Sequence, residues 1–305
     1  MAWPSGAKAA ITLTFDNMGE AADLNRNVWP SSQPIGSHHS VTRVLPKFLS
    51  LTKQYDIPIT YFCESWNLGV YPDAVKSISD AGHEVAWHAY QHEAWGKECA
   101  AEADERDNFE RSWEAMKGFI SDEGKGRGMS MYQGFRPPGG TIHGDRTLRM
   151  CREHGLGYIS PAAERGALVP LKARNESEKD DSIVVLPFRW RTVDAYYYMS
   201  SFNKLREVKG ELPSEVQPTS VLVESFKAQI DEAIEQGGFV SFLFHPFLTD
   251  SEERLAAMEE VLQYLAKKRQ EGDIWVARAR DVEGYVREHP DVLGNDPEFD
   301  ETSWR

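Results

Sequence analysis

The sequence predicts an α/β fold, a distorted barrel of seven or eight mostly parallel strands. Three observations predict it. Apolar runs of strand length alternate with stretches of helical spacing, the pattern of strands joined by helical crossovers. Several of those runs end directly in a polar, chemistry-bearing motif, which puts the motifs on one rim of a parallel barrel. The 305 residues suffice for one domain of that type.

Taken in order, strand-like runs fall at about 9–15, 58–63, 83–88, 132–136, 156–160, 183–188, 239–245 and 273–277. Short, continuous apolar runs of this kind suit strands buried on both faces. Between them, residues 41–55 carry apolar side chains at helical spacing, with Pro46 tolerable in the first turn. Residues 72–81 read as a short helix stopped by Gly82, and 99 to about 120 as a long surface helix. Residues 144–154 form another, closed by Gly155, and 220–238 the most regular one, ending in a glycine pair. Residues 251–270 follow, with Ser251 as N-cap and acids in the first turn. The polar stretch 162–182 reads as a surface insertion, and 196–218 as an irregular lid near the rim. Residues 1–289 are expected to form a single barrel domain and 290–305 an acidic C-terminal tail.

Composition excludes some functions. The formal net charge is -14, and neither nucleic acid nor an anionic membrane is expected as a partner, because both attract clustered Lys and Arg. No segment approaches the roughly 20 apolar residues of a membrane span, and the N-terminus lacks the apolar segment of a signal peptide. The three cysteines, Cys63, Cys99 and Cys151, are scattered and odd in number. They suit a reducing compartment, so a cytoplasmic location is expected.

Four motifs carry chemistry. Asp16 ends the first apolar run; such a residue caps the next helix or serves as a general base. His88 and His92 stand four apart, which on a helical turn puts both imidazoles on one side. They read either as surface hydrogen-bonding groups or as ligands for a zinc-like cation. Arg136 lies in GFRPPGG, where prolines and glycines fix a tight loop. It reads as a structural ion pair or as a clamp holding a carboxylate by two hydrogen bonds. His245 ends FVSFLF, as a satisfied core histidine or a general acid. Trp87, Tyr90, Trp95, Pro138 and Trp190 are candidates for the substrate pocket, with plain packing the alternative for the aromatic ones.

Together these residues resemble the polysaccharide deacetylase family, also called the NodB-homology or carbohydrate esterase 4 group. Residues 14–20, 88–92, 134–139, 190–194 and 243–246 look like its five motifs in order. The opening WPSGAKAAITLTFD and closing DIWVARARDVEGYV are similar to the intracellular branch of peptidoglycan-deacetylase-like proteins and cofactor-free allantoinases. The resemblance implies a NodB-like barrel and hydrolysis of a non-peptide C–N bond, typically an amide. It assigns Asp16 as base, Arg136 as its orienting cation, His245 as acid and Asp194 as the carboxylate that holds His245. It implies a divalent metal, zinc by type, on His88 and His92, and a homo-oligomer, a tetramer among its forms.

The family's second metal-binding Asp is missing. Asn17 or Met18 stands in its place. Three options follow: Asp16 itself binds metal; Glu20, His38 or His39 fills the position; or the site works without metal on a small cyclic amide, imide or ureide. A third class of reading is a non-catalytic barrel that binds a sugar or metabolite. The acidic surface and absent secretion signal favour a small-molecule or sugar amide over a cell-wall polymer as substrate.

Overall fold

The chain, in a computed structural model that describes residues 2–121, 129–173 and 181–293, is built on one curled sheet. Nine strands are found among the described residues: β1 (Ala9–Asp16), β2 (Ile59–Cys63), β3 (Glu84–Trp87), β4 (Gly134–Phe135), β5 (Tyr158–Ile159), β6 (Ala167–Leu171), β7 (Asp181–Val185), β8 (Gly238–Phe244) and β9 (Ile274–Val276). Their order is β6-β7-β5-β4-β3-β2-β1-β8, with β9 also paired to β1. Every pairing is parallel except β6 with β7. A bridge from Val193, beyond the end of β7, to Leu243 of β8 partly closes the barrel.

Strand alternation divides the core in two. Ile11, Leu13 and Phe15 of β1, Tyr61 and Cys63 of β2, Trp87 of β3 and Phe135 of β4 pack outward against the helices. The residues between them form a second, inner cluster, with Ala10, Phe62, Ala86, Tyr158 and Val184. Helix Ala279–Glu288 packs Ala279, Val282 and Val286 against that cluster. Glu84 sits within this layer; it accepts from Thr60 Oγ1 at 2.8 Å, Tyr158 Oη at 2.9 Å and the Arg280 amide at 3.0 Å.

Each of the eight expected apolar runs contains a strand. The long helices Glu102–Ser121, Thr219–Gln236 and Glu252–Gln270 also lie where their spacing puts them. The Ser251 hydroxyl caps the last by accepting from the Arg254 amide. Pro46 falls in the first turn of helix Leu45–Gln54, after a π-helical turn at Ser40–Val44. Two expectations need correction. The stretch 162–182 is not merely an insertion, because it contributes β6, an edge strand antiparallel to β7. Residues 196–218 include ordered helical turns, Ser200–Phe202 and Asn203–Lys209, following helix Asp194–Tyr198. Of the expected tail, Pro290–Val292 is a 3-10 turn, and residues 294–305 lie outside the described residues.

Gly134 is the point of closest approach inside the barrel. A Cβ added there would lie 1.8 Å from Cζ of the buried Tyr158 ring. Gly134→Ala is therefore expected to lower stability by about 3 kcal/mol, read as a lower urea midpoint with an unchanged slope.

Candidate active site

The rim at the strand C-termini gathers the polar motifs, and register explains how. Cys63 pairs with Trp87, Trp87 with Phe135, and Phe135 with Ile159. The next residue on each strand is Glu64, His88, Arg136 and Ser160, so four polar side chains form one inward-facing layer. Asp16 ends β1, and His245 follows Phe244, the partner of Phe15. They stand side by side at the same rim. A cavity of about 350 Å³ opens there, lined by Asp16, Asn17, His88, His92, Arg136 and His245 among others.

Arg136 is the most connected group in the site. Its Nη1 donates to Thr14 Oγ1 at 2.7 Å and Asp16 Oδ1 at 2.9 Å. Nε and Nη2 donate to Ser160 Oγ, and Nη2 also to Ser241 Oγ at 3.0 Å. The guanidinium lies 4.1 Å over the Phe62 ring. Asp16 thus receives one hydrogen bond from Arg136, not two, since the other donors reach hydroxyls of β1, β8 and the β5 end. Burial raises the Asp16 pKa above its ordinary value, opposed by Arg136 and His245.

His88 donates from Nδ1 to the Arg136 carbonyl at 2.7 Å, which leaves the Nε2 lone pair facing the site, 3.9 Å from Asp16 Oδ2. Burial lowers its pKa to about 3, so the ring is neutral. His92 is also pushed well below its ordinary value by burial and by His88 and Arg26. The two rings lie with centroids 5.0 Å apart. They are held by a turn that is not helical: Ala89 and His92 both have left-handed φ, 64° and 68°. Such backbone costs of order 1–3 kcal/mol per residue and tends to mark functional sites. The Ser65 and Trp66 amides clamp this turn by donating to the Ala89 and Tyr90 carbonyls.

His245 has the opposite environment. Its Nδ1 lies 2.5 Å from Asp194 Oδ1, and its amide donates to Asp194 Oδ2 at 2.7 Å. Burial alone would lower its pKa, but the Asp194 carboxylate outweighs that and raises it above the ordinary value. One titratable residue was missed by the sequence reading. Glu64 is fully buried, and its ligand atom lies with those of His88 and His92 in a group spanning no more than 4.8 Å. Its Oε2 accepts from the Met18 amide and Asn67 Nδ2, while Oε1 has no partner among the described residues. Burial raises its pKa to about 8. Two neutral imidazoles and a carboxylate suit a zinc-like divalent ion. The signal for Glu64 was available: it follows an apolar strand directly, as His88 does.

The polysaccharide deacetylase family profile matches residues 5–159, just over half the chain. The chain belongs to this family. A peptidoglycan deacetylase of Helicobacter pylori (strain ATCC 700392 / 26695) is 41% identical over 49 residues, which span 16% of this chain and 17% of that relative. Among solved structures, a Mycobacterium smegmatis protein assigned to the polysaccharide deacetylases superposes with TM-score 0.74 and 22% identity, covering 97% of this chain and 95% of that one. The Puue allantoinase superposes with TM-score 0.69 and 20% identity, covering 94% and 93%. At these identities the likeness is one of fold.

Several expected site residues of this deacetylase-family chain lie elsewhere. Trp87 and Trp95 are fully buried in an outer aromatic cluster with Phe109 and Phe135, because Trp87 precedes His88 and so faces the other side of β3. Tyr90 points away and carries Arg111 over its ring. Pro138 turns behind the cavity, its carbonyl accepting from the Trp95 amide, while Pro137 and Gly139 line it. Of the five expected pocket residues only Trp190 lines the cavity, with Phe188, Met199, Phe202 and Phe247. Glu20 lies outside the Glu64–His88–His92 group and accepts from the Gly36 amide and Tyr71 Oη, both at 2.5 Å. His38 bonds Ser40, and His39 donates to the Phe247 carbonyl. Asp16 stands beside the Glu64–His88–His92 group but outside it. Met18 is buried, with the Cys63 thiol 3.8 Å from its sulfur, so Asn17 is the residue that faces the cavity.

Arg136→Met would leave Asp16 buried beside hydroxyls that have lost their donor. A loss of about 3–5 kcal/mol of stability is expected in chemical denaturation, as for breaking other buried pairs.

Proposed function

We propose that this chain hydrolyses the C–N bond of a small amide with a water activated by Asp16. The observation that supports this most is the pairing of two opposed groups on one cavity. Asp16 is backed by Arg136, and His245 by Asp194. The cavity volume, about 350 Å³, and its wall of Phe188, Trp190, Met199, Phe202 and Phe247 favour a small molecule or one sugar residue over a long polymer.

In this reading the carbonyl carbon sits between Asp16 and His245. Asp16 takes a proton from water as the water oxygen adds to that carbon. Arg136 favours the charged form of Asp16 and, by holding Oδ1, fixes the carboxylate's orientation. The resulting tetrahedral centre collapses as the C–N bond breaks. His245, protonated, gives its Nε2 proton to the leaving nitrogen, so an amine and a carboxylate leave. Asp194 holds the ring by Nδ1 and favours the charged form. His88 and His92 would hold a divalent ion, whose chemistry when bound is to acidify a water and polarise the carbonyl. A second reading, a metal-independent hydrolase of a cyclic amide, imide or ureide, is favoured by Asn17 standing at the missing Asp. The cytoplasmic setting remains part of the proposal, supported by three free, buried thiols.

Asp16→Asn is expected to cut kcat on a hydrolysed amide by about 10²–10⁴-fold, the range of a lost general base, with an unchanged circular dichroism spectrum. Wild-type turnover retained in that variant would remove Asp16 from the mechanism. Asp194→Asn tests the acid. Asp194 raises the His245 pKa, and His245 acts only while protonated. The alkaline limb of the kcat profile should therefore move to lower pH in the variant. A limb that stays in place would show that His245 is not the acid.

A further inference from the structure

The family's usual second Asp is replaced here by Asn17, a neutral side chain on the cavity wall. The charge has a counterpart one strand away. We propose that Glu64 is the carboxylate ligand of the metal centre, so that this function has moved from the end of β1 to the end of β2. The inference rests on the metal-assisted reading above.

Four observations carry it. The ligand atoms of Glu64, His88 and His92 lie within 4.8 Å of one another. The Glu64 Oε1 atom is buried and lacks any donor among the described residues, a costly state for a carboxylate oxygen. Its partner Oε2 is held by the Met18 amide at 2.9 Å and Asn67 Nδ2 at 3.0 Å, which pins the side chain in place. The backbone just after Glu64 is bonded to the strained histidine turn, so carboxylate and imidazoles move as one unit.

The chemistry of the group points the same way. His88 spends its N–H on the Arg136 carbonyl and presents a lone pair. Glu64 presents a second acceptor. Buried acceptors that face one another need a proton or a metal cation between them, and three ligand atoms grouped this closely suit a cation. His92 Nδ1 lies 3.3 Å from the exposed Arg26 guanidinium. A cation on either nitrogen of that ring breaks this contact: on Nδ1 by displacement, on Nε2 by forcing the N–H onto Nδ1. The wild-type affinity is thus set by Glu64 working against Arg26.

The test reads metal directly. The full chain is stripped with a chelator and titrated with cobalt(II), followed by visible absorption, and zinc stoichiometry is measured by elemental analysis. The wild type should bind one equivalent. Glu64→Gln should weaken cobalt binding by about 100-fold or more, since even outer partners of metal ligands cost 10–100-fold. Adding Asn17→Asp to Glu64→Gln should recover binding, and Arg26→Ala alone should tighten it. If Glu64→Gln does not fold, Glu64→Asp replaces it, with weaker binding and an altered cobalt spectrum expected. A Glu64 variant with wild-type affinity and spectrum would overturn the proposal. So would a wild type that binds neither ion, and that outcome leaves the amide-hydrolysis reading to the Asp16 variant.

Discussion

The site depends on one buried guanidinium. Arg136 is 1% exposed and lies inside a barrel, where a bare cation would be prohibitively costly. Its fork is instead spent on groups from three directions: Thr14 and Asp16 of β1, Ser160 after β5, and Ser241 of β8. Two consequences follow from that single placement. The side chain keeps an ionised carboxylate tolerable at Asp16. The main-chain carbonyl of the same residue fixes the tautomer of His88. The base and the metal ligand of the proposed mechanism are therefore both oriented by the two ends of one amino acid.

Much of this was legible because strand alternation is strict. Asp16, His88 and His245 each stand at or just past the end of an apolar run, and closure of the sheet brings them together. The same rule shows where the reading went astray. Trp87 is a pocket candidate as an aromatic, with plain packing the alternative; adjacent residues on a strand face opposite sides, so Trp87 packs outward where His88 faces in. Glu64 has the same phase as His88, but a lone carboxylate after a strand also reads as a helix cap. β6 was hidden by Pro170, which disfavours a central strand; it is tolerated because β6 lies at the sheet edge. The left-handed turn at Ala89 and His92 had no local sign, since neither residue type announces a positive φ.

Three histidines on one cavity are driven to different protonation states by what each nitrogen meets. His88 meets a carbonyl and burial, so it stays neutral down to about pH 3. His92 meets burial, His88 and the Arg26 cation, and is likewise neutral. His245 meets the Asp194 carboxylate and gains a proton more readily than a free imidazole. Ligand and acid chemistry, the roles proposed for these rings, need opposite forms of the same side chain. The signs differ for stability as well. Below the ordinary histidine pKa the unfolded chain takes up protons that His88 refuses, so that group destabilises the fold as pH falls. The His245–Asp194 pair stabilises the fold below that pKa, and the contribution is lost as pH rises through its raised value. Acid and alkali therefore act on different histidines. The interval between them is where the neutral rings of His88 and His92 and a charged His245 can share one cavity, as the proposed mechanism requires.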